Sequence, residues 1–386
     1  MTEWHIVTGE YPPATGGVAD YSHAVASGLA AAGDRVHVWC PAAAGDQTPA
    51  PGVHVHPVAG SWSGKDFIRL DEAIDQTAGP RRLLVQWVPQ AFGRKSINVA
   101  FCRWVRRRAR AGDILDVMVH EPYLPFGSGS VRLSAAAVIH RAMVALLLDQ
   151  ARRVWVAIPA WADCLRPWTF GKAITFCWLP VPSNIPVSAA DQSVIERREQ
   201  VLRGSGGVIV GHFSTYSPEI MAALRELLPT LLAGVPEMHV ELMGRGSEKA
   251  LGELSGVIDP RTERVRASGD LTAAEMSCRL RMCDLIMQPY PDGASTRRGT
   301  LMAALAHGLP VATTTGHLTE AFWRESGAVA LAPAGNLPEL ARLVSELSRE
   351  PARRRRLGSA GRDTYEARFS LQHLIHSLRS DLCEAA

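Results

Sequence analysis

Short apolar runs alternate with amphipathic stretches from one end of the chain to the other, and this alternation limits the fold more than any other feature. Strands buried on both faces read as compact aliphatic or β-branched runs, and the helices covering them read at a 3.6-residue period. A chain that keeps repeating the pair builds a doubly wound parallel sheet. Residues 5–8 open the first series, followed by helical sequence over about 18–31 and strand-like runs at 35–40, 53–58, 83–87, 114–120 and 153–158. Helical patterns cover 66–77, 97–110 and 134–150. Pro180, Pro182 and Pro186 then mark a linker, because proline suits neither a helix interior nor a central strand. A second series has strands at 207–212, 239–243, 284–288 and 310–314, a helix at 218–232, and a last helix over 365–382. The expectation is an α/β protein of two Rossmann-like domains, residues 1–182 and 187–365, with a terminal segment at 366–386.

Composition narrows the function classes. The 386 residues are 47% hydrophobic, which excludes a disordered chain, and a net charge of +3 is no footprint for nucleic acid. No apolar run reaches the ~18 residues of a membrane span, and the N-terminus lacks a basic signal-peptide region, so a cytoplasmic location is expected. The seven cysteines lack metal-type spacing, which suggests reduced thiols and no metal centre. Arg103, Arg106, Arg107, Arg108 and Arg110 share one helical stretch. A solvated helix face is the first reading of them. Peripheral contact with an anionic surface at the inner membrane face is the second.

Three strand-end segments carry the candidate chemistry. Residues 9–21 link the first strand to the first helix, and Gly16 and Gly17 there would admit a phosphate or sugar close to the backbone, with Tyr11 beside them. The spacing is not the dinucleotide G-x-G-x-x-G pattern, so a nicotinamide or flavin site is disfavoured. His120 and Glu121 follow the strand at 114–119, where a histidine can hydrogen-bond a substrate or serve in acid–base work. The densest segment is 288–300, in which Ser295, Thr296, Arg297 and Arg298 lead into a helix. Two guanidiniums and free helix N–H groups would share the charge of a diphosphate. Arg245, after the strand at 239–243, is a further phosphate candidate, and Glu320 is placed to face the same crevice.

With these residues assembled, the chain resembles GT-B-fold glycosyltransferases, closest to the family 4 type. The resemblance rests on Tyr11-Pro-Pro-Ala-Thr-Gly-Gly-Val18, His120-Glu-Pro122, Gly244-Arg-Gly246 and the Ala303 to Val311 segment with Gly308 and Pro310. It implies two Rossmann-like domains facing a central cleft, with the terminal helix crossing back to the first domain. It also implies sugar transfer from a nucleotide-diphospho-sugar to an acceptor hydroxyl on a glycan, glycolipid or small molecule, with retention and without a metal or other cofactor. His120 would contact the donor sugar as the catalytic histidine, and Tyr11 and Glu121 would lie on the acceptor side. The chain departs from the family where two glutamates usually stand eight positions apart, at Ser295 and Ala303. Arg297 and Arg298 are expected to compensate as the diphosphate clamp. The alternative is a catalytically inactive GT-B protein that serves as a binding partner or subunit.

Overall fold

The computed structural model describes residues 2–42, 49–57, 60–77, 81–93, 96–126, 131–188, 192–202, 207–259, 263–380 and 383–386. They divide into two compact units, Met1–Pro180 with Leu371–Ala386, and Val181–Ser370.

The first unit holds seven parallel strands: β1 (Glu3–Thr8), β2 (Arg35–Trp39), β3 (Val53–His56), β4 (Arg81–Trp87), β5 (Ile114–Val119), β6 (Arg153–Val156) and β7 (Thr175–Trp178). Their order is β3-β2-β1-β4-β5-β6-β7, with Ile6 opposite Val38 on one side and Leu84 on the other. Residues 4–8 are buried throughout, as a strand covered on both faces requires. Val7, Leu83, Val85, Val117 and Val154 form one core with Phe67, Leu70 and Phe101 from the covering helices. Strand-like residue 58 lies outside the described residues, and β7 has no counterpart among the strands read from the sequence.

The second unit holds β8 (Val208–Phe213), β9 (Met238–Met243), β10 (Val265–Ala267), β11 (Leu285–Gln288), β12 (Val311–Thr315) and β13 (Ala330–Pro333). The order β10-β9-β8-β11-β12-β13 reverses direction between β8 and β11. Ligands in such sheets gather beyond the strand ends at that switch point. Val181 N–H donates to the Thr296 carbonyl at 3.0 Å and Ser183 N–H to Tyr365 Oη at 3.2 Å, which draws the proline segment into this unit.

Three sequence expectations are corrected. The segment read as one last helix is two, Pro351–Arg368 and Leu371–Arg379, with position 382 outside the described residues; the second packs on helix Gly17–Ala31 of the first unit. Cys177 and Cys383 form a disulfide rather than remaining reduced, and the tail beyond lies antiparallel to β7, with Trp178 N–H donating to the Glu384 carbonyl at 2.8 Å. Helix Val131–Leu148 is long and apolar enough to cross a membrane by length and composition alone, although His140, Arg141, Met143, Val144 and Leu147 on it are buried in the first unit. On the arginine-rich helix Arg103 is exposed, and the other four arginines have carboxylate partners. Arg106 and Arg110 pair with Asp149, Arg107 with Asp71, and Arg108 with Asp75 at 2.8 Å and Asp113 at 2.7 Å.

One face of β1–β3 gathers histidines because the parallel register aligns them. His5 lies opposite His37 and His37 opposite His54, while Trp39 lies opposite His56 in the next row. His5 and His37 stack at 5.1 Å between ring centres, and Trp39 stacks on His56 at 4.1 Å. Trp39 Nε1–H donates to His5 Nδ1 at 3.1 Å, so neutral His5 carries its proton on Nε2, which faces Glu3 at 3.8 Å.

Candidate functional site

At the end of β1, Thr8 Oγ1–H donates to the Glu10 carbonyl at 2.8 Å and Ser22 Oγ–H donates to Thr8 Oγ1 at 3.2 Å. These bonds hold the turn into helix Gly17–Ala31. The Glu10 carboxylate accepts Ala19 N–H at 3.2 Å, and a Cβ on Gly16 would stand 2.6 Å from Glu10 Oε1. The anion at this helix start is therefore the chain's own. Gly17 has open space where a Cβ would go and Gly16 faces only the movable end of the Glu10 side chain, whereas a Cβ on Gly9 would meet the Ala91 carbonyl oxygen at 2.2 Å. Tyr11 is buried, its hydroxyl meets His23 Nδ1 at 3.2 Å, and burial pushes its pKa up to about 12. Its hydroxyl is thus engaged inside the unit. Glu121 is exposed and accepts Gln90 Nε2–H at 3.1 Å.

His120 ends β5 with its Nε2 at 2.9 Å from Gln86 Oε1 on β4 and its ring edge-on to Tyr21 at 4.7 Å. Trp161 Nε1–H donates to the His120 carbonyl at 2.9 Å and fixes the strand end. Burial pulls the imidazole down to about 3, so it is neutral at physiological pH. With Gln86 Oε1 accepting, Nε2 carries the proton and Nδ1 remains an acceptor. His120 is equipped to hydrogen-bond a ligand. It is not equipped to enter a reaction as an imidazolium acid.

In the second unit, residues 289–298 leave β11 at the switch point and enter helix Gly299–Ala306. Gly293, at φ +90°, could not carry a Cβ, which would meet Thr319 Oγ1 at 2.1 Å and Gly316 N at 2.2 Å. This contact and the Ala294 N–H bond to the Thr314 carbonyl (2.7 Å) lock the loop against the end of β12. Arg297 and Arg298 each ion-pair with Asp292 through Nη2, one on each carboxylate oxygen. Arg298 also lies over the Tyr290 ring at 4.7 Å, and Tyr290 Oη meets Thr300 Oγ1 at 2.7 Å. Burial raises the Asp292 carboxyl, but Arg298 and Arg297 outweigh it and hold the group below its usual value.

Ser295 and Thr296 are fully buried. Thr296 donates through N–H (2.9 Å) and Oγ1–H to Glu320 Oε1, and Trp323 Nε1–H donates to Glu320 Oε2 at 2.8 Å. Burial raises the Glu320 pKa, and its carboxylate anchors the loop from behind. Ser295 Oγ has no hydrogen-bond partner among the described residues. Arg245 is exposed between Gly244 (φ +100°) and Gly246 (φ +83°), with no ion pair among the described residues. His212, on β8, is buried, with Nδ1 at 2.9 Å from the Met287 carbonyl and its pKa lowered to about 4 by burial.

The structure thus brings Ser295, Thr296, Arg297 and Arg298 into one locked loop, bonded by Glu320 from beyond β12, and leaves Arg245 at the end of β9, two strands from β11. Sequence reasoning passed over Asp292 and Glu10, which lie inside the quoted segments. Their signal was a carboxylate five or six residues before an arginine pair, and one six residues before the Gly16–Gly17 pair.

No protein-family model matches the chain, and no curated protein matches it in sequence. Solved structures do match. Sucrose-phosphate synthase from Thermosynechococcus elongatus superposes with a TM-score of 0.70 at 16% identity, over 98% of each chain. Anabaena HepE in complex with UDP and glucose gives 0.68 at 15% identity, over 98% of each chain. A glycosyltransferase from Rickettsia africae gives 0.70 at 12% identity, over 98% of this chain and 97% of that one. At this level of identity the likeness concerns architecture, and it establishes that the chain has the GT-B fold.

Proposed function

We propose that the protein is a glycosyltransferase that takes a sugar from a nucleotide-diphospho-sugar and places it on an acceptor hydroxyl. The observation that carries this reading is the arginine pair at the start of helix Gly299–Ala306, on a locked loop at the switch point of a GT-B domain. Guanidiniums at a helix N-terminus stabilise the negative charge that grows on a leaving diphosphate. HepE, whose solved structure holds UDP and glucose, lends support to a nucleotide-sugar donor. In the proposed roles, Arg297 and Arg298 neutralise the diphosphate, with Arg245 as an outer contact. Neutral His120 hydrogen-bonds the donor sugar through Nδ1. Glu320 keeps Thr296 in place. Glu10 already fills the anion position at the first helix, so Gly16 and Gly17 suit a neutral, hydroxyl-bearing acceptor better than a phosphate. Retention and metal independence belong to the proposal.

A second reading, binding without transfer, is favoured by the identities of Ser295 and Ala303, which leave no carboxylate at either glutamate position. Thermal unfolding against a panel of nucleoside diphosphates and their sugar conjugates tests both. A ligand at ~100 times its dissociation constant adds about 2.7 kcal/mol. The transfer reading expects a raised midpoint with one nucleotide, lost in Arg297→Ala and Arg298→Ala, and hydrolysis or transfer of its sugar conjugate. Stabilisation with no turnover on any conjugate or acceptor supports binding alone. No stabilisation by any nucleotide refutes both.

A further inference from the structure

Asp292 stands where two guanidiniums meet, and its position is set by main chain that cannot yield. Its carbonyl accepts Leu318 N–H at 3.1 Å, and a Cβ on Gly316 would approach that carbonyl carbon to 2.4 Å. Gly293, next in the chain, is wedged against Gly316 and Thr319. Arg297 and Arg298 each reach the carboxylate through one Nη2 at the end of a long side chain, and the buried Arg298 Nε–H has no hydrogen-bond partner among the described residues. The fixed partner is the carboxylate, and the movable partners are the two cations.

The reading above, in which these arginines hold the diphosphate, underlies this step. We propose that Asp292 is a built-in counter-ion that competes with the diphosphate for Arg297 and Arg298, lowering the affinity for the nucleoside diphosphate and hastening its departure. The three side chains sum to +1. An approaching diphosphate therefore meets half the positive charge that two unpaired arginines would present, and on leaving it returns both guanidiniums to a waiting carboxylate. A ligand with two or more negative charges competes with Asp292 effectively, and a singly charged one does not. Asp292 is thus a specificity and release residue, acting through the arginines.

Isothermal titration of the full chain with inorganic pyrophosphate and with UDP, at fixed ionic strength near 0.1 M, tests the proposal. The charge-neutral, near-isosteric Asp292→Asn variant is compared with wild type, and Asp292→Ser stands in if the first fails to fold. Loss of one negative charge within a few ångströms of a bound anion is expected to tighten pyrophosphate roughly ten- to a hundred-fold. A purely structural aspartate would instead loosen it. Steady-state kinetics adds a split: KM for the donor falls while kcat falls with it, because product leaves more slowly. Pyrophosphate affinity that is unchanged or weaker in both variants, with Arg297→Ala and Arg298→Ala abolishing binding, overturns the counter-ion role and leaves the arginine clamp standing. Wild-type affinity in both arginine variants removes the clamp itself, and the counter-ion with it.

Discussion

Mild acid should unfold the first unit through the histidine cluster on β1–β3. Burial, then the charges of His37, Arg81, Arg108 and His56, draws His5 down to about 3; burial, then His54 and Arg35, draws His37 down to about 4; and burial with His37 and His54 draws His56 to about 4. His54 stacks on His37, and among the described residues Glu3 is the carboxylate facing His5 and His37. Because the folded values lie below the ordinary 6.5, the unfolded chain takes up protons first. The stabilisation is complete above pH 6.5 and is lost as pH falls toward 4. Each imidazole kept neutral costs about 1.4 kcal/mol per pH unit below 6.5, hence about 2 kcal/mol at pH 5. His5 is fully buried and His37 has 12% of its side chain exposed, so the two together remove about 4 kcal/mol. For a unit of this size that lowers the melting midpoint by about 10 °C. Unfolding should be followed by tryptophan fluorescence from pH 8 to 5 at constant ionic strength, since Trp39 stacks on His56 and reports on the cluster directly. The variant His37→Asn should lose about one proton's worth of pH slope. A midpoint that stays level from pH 8 to 5, or an equal slope in wild type and variant, would refute the reasoning.

Two further predictions concern the tail and the loop. The Cys177–Cys383 bond spans 206 positions, a loop worth about 5 kcal/mol in the chain-entropy treatment, so a reductant should lower the stability of the first unit; alkylation of the denatured, unreduced protein should label five cysteines, and seven labels would contradict the bond. Gly293→Ala forces a Cβ into Gly316 at a left-handed backbone position and should cost the second unit about 2–3 kcal/mol in urea unfolding, together with nucleotide binding; a change under about 0.5 kcal/mol would show that the loop relaxes freely.

The alternation of apolar runs made both sheets readable because strands buried on two faces tolerate little besides aliphatic residues. The runs at 83–87 and 239–243 fall within β4 and β9. β7, β10 and β13 escaped for the complementary reason. They are three or four residues long at or near sheet edges, and Val265–Ala267 contains an arginine. A window that short carries no period. The segments with functional character were also visible, since glycine, serine and arginine at strand–helix junctions have few other uses.

The identity of each charge's partner was not visible. Nothing local tells whether Arg298 waits for a ligand or for Asp292, whether the arginines of helix Val99–Arg110 face a membrane or Asp71, Asp75, Asp113 and Asp149, or whether Cys383 lies near Cys177. Two doubly wound sheets, their division at the proline segment, and the strand ends where chemistry gathers could be read from residue order alone, because buried strands and tight turns restrict residue type position by position. Which carboxylate neutralises which arginine, which histidines stack, and which hydroxyls are consumed internally emerge with the folded chain. Those pairings depend on distances closed across dozens or hundreds of residues, and a charge or a hydroxyl in a sequence looks the same whatever it will meet.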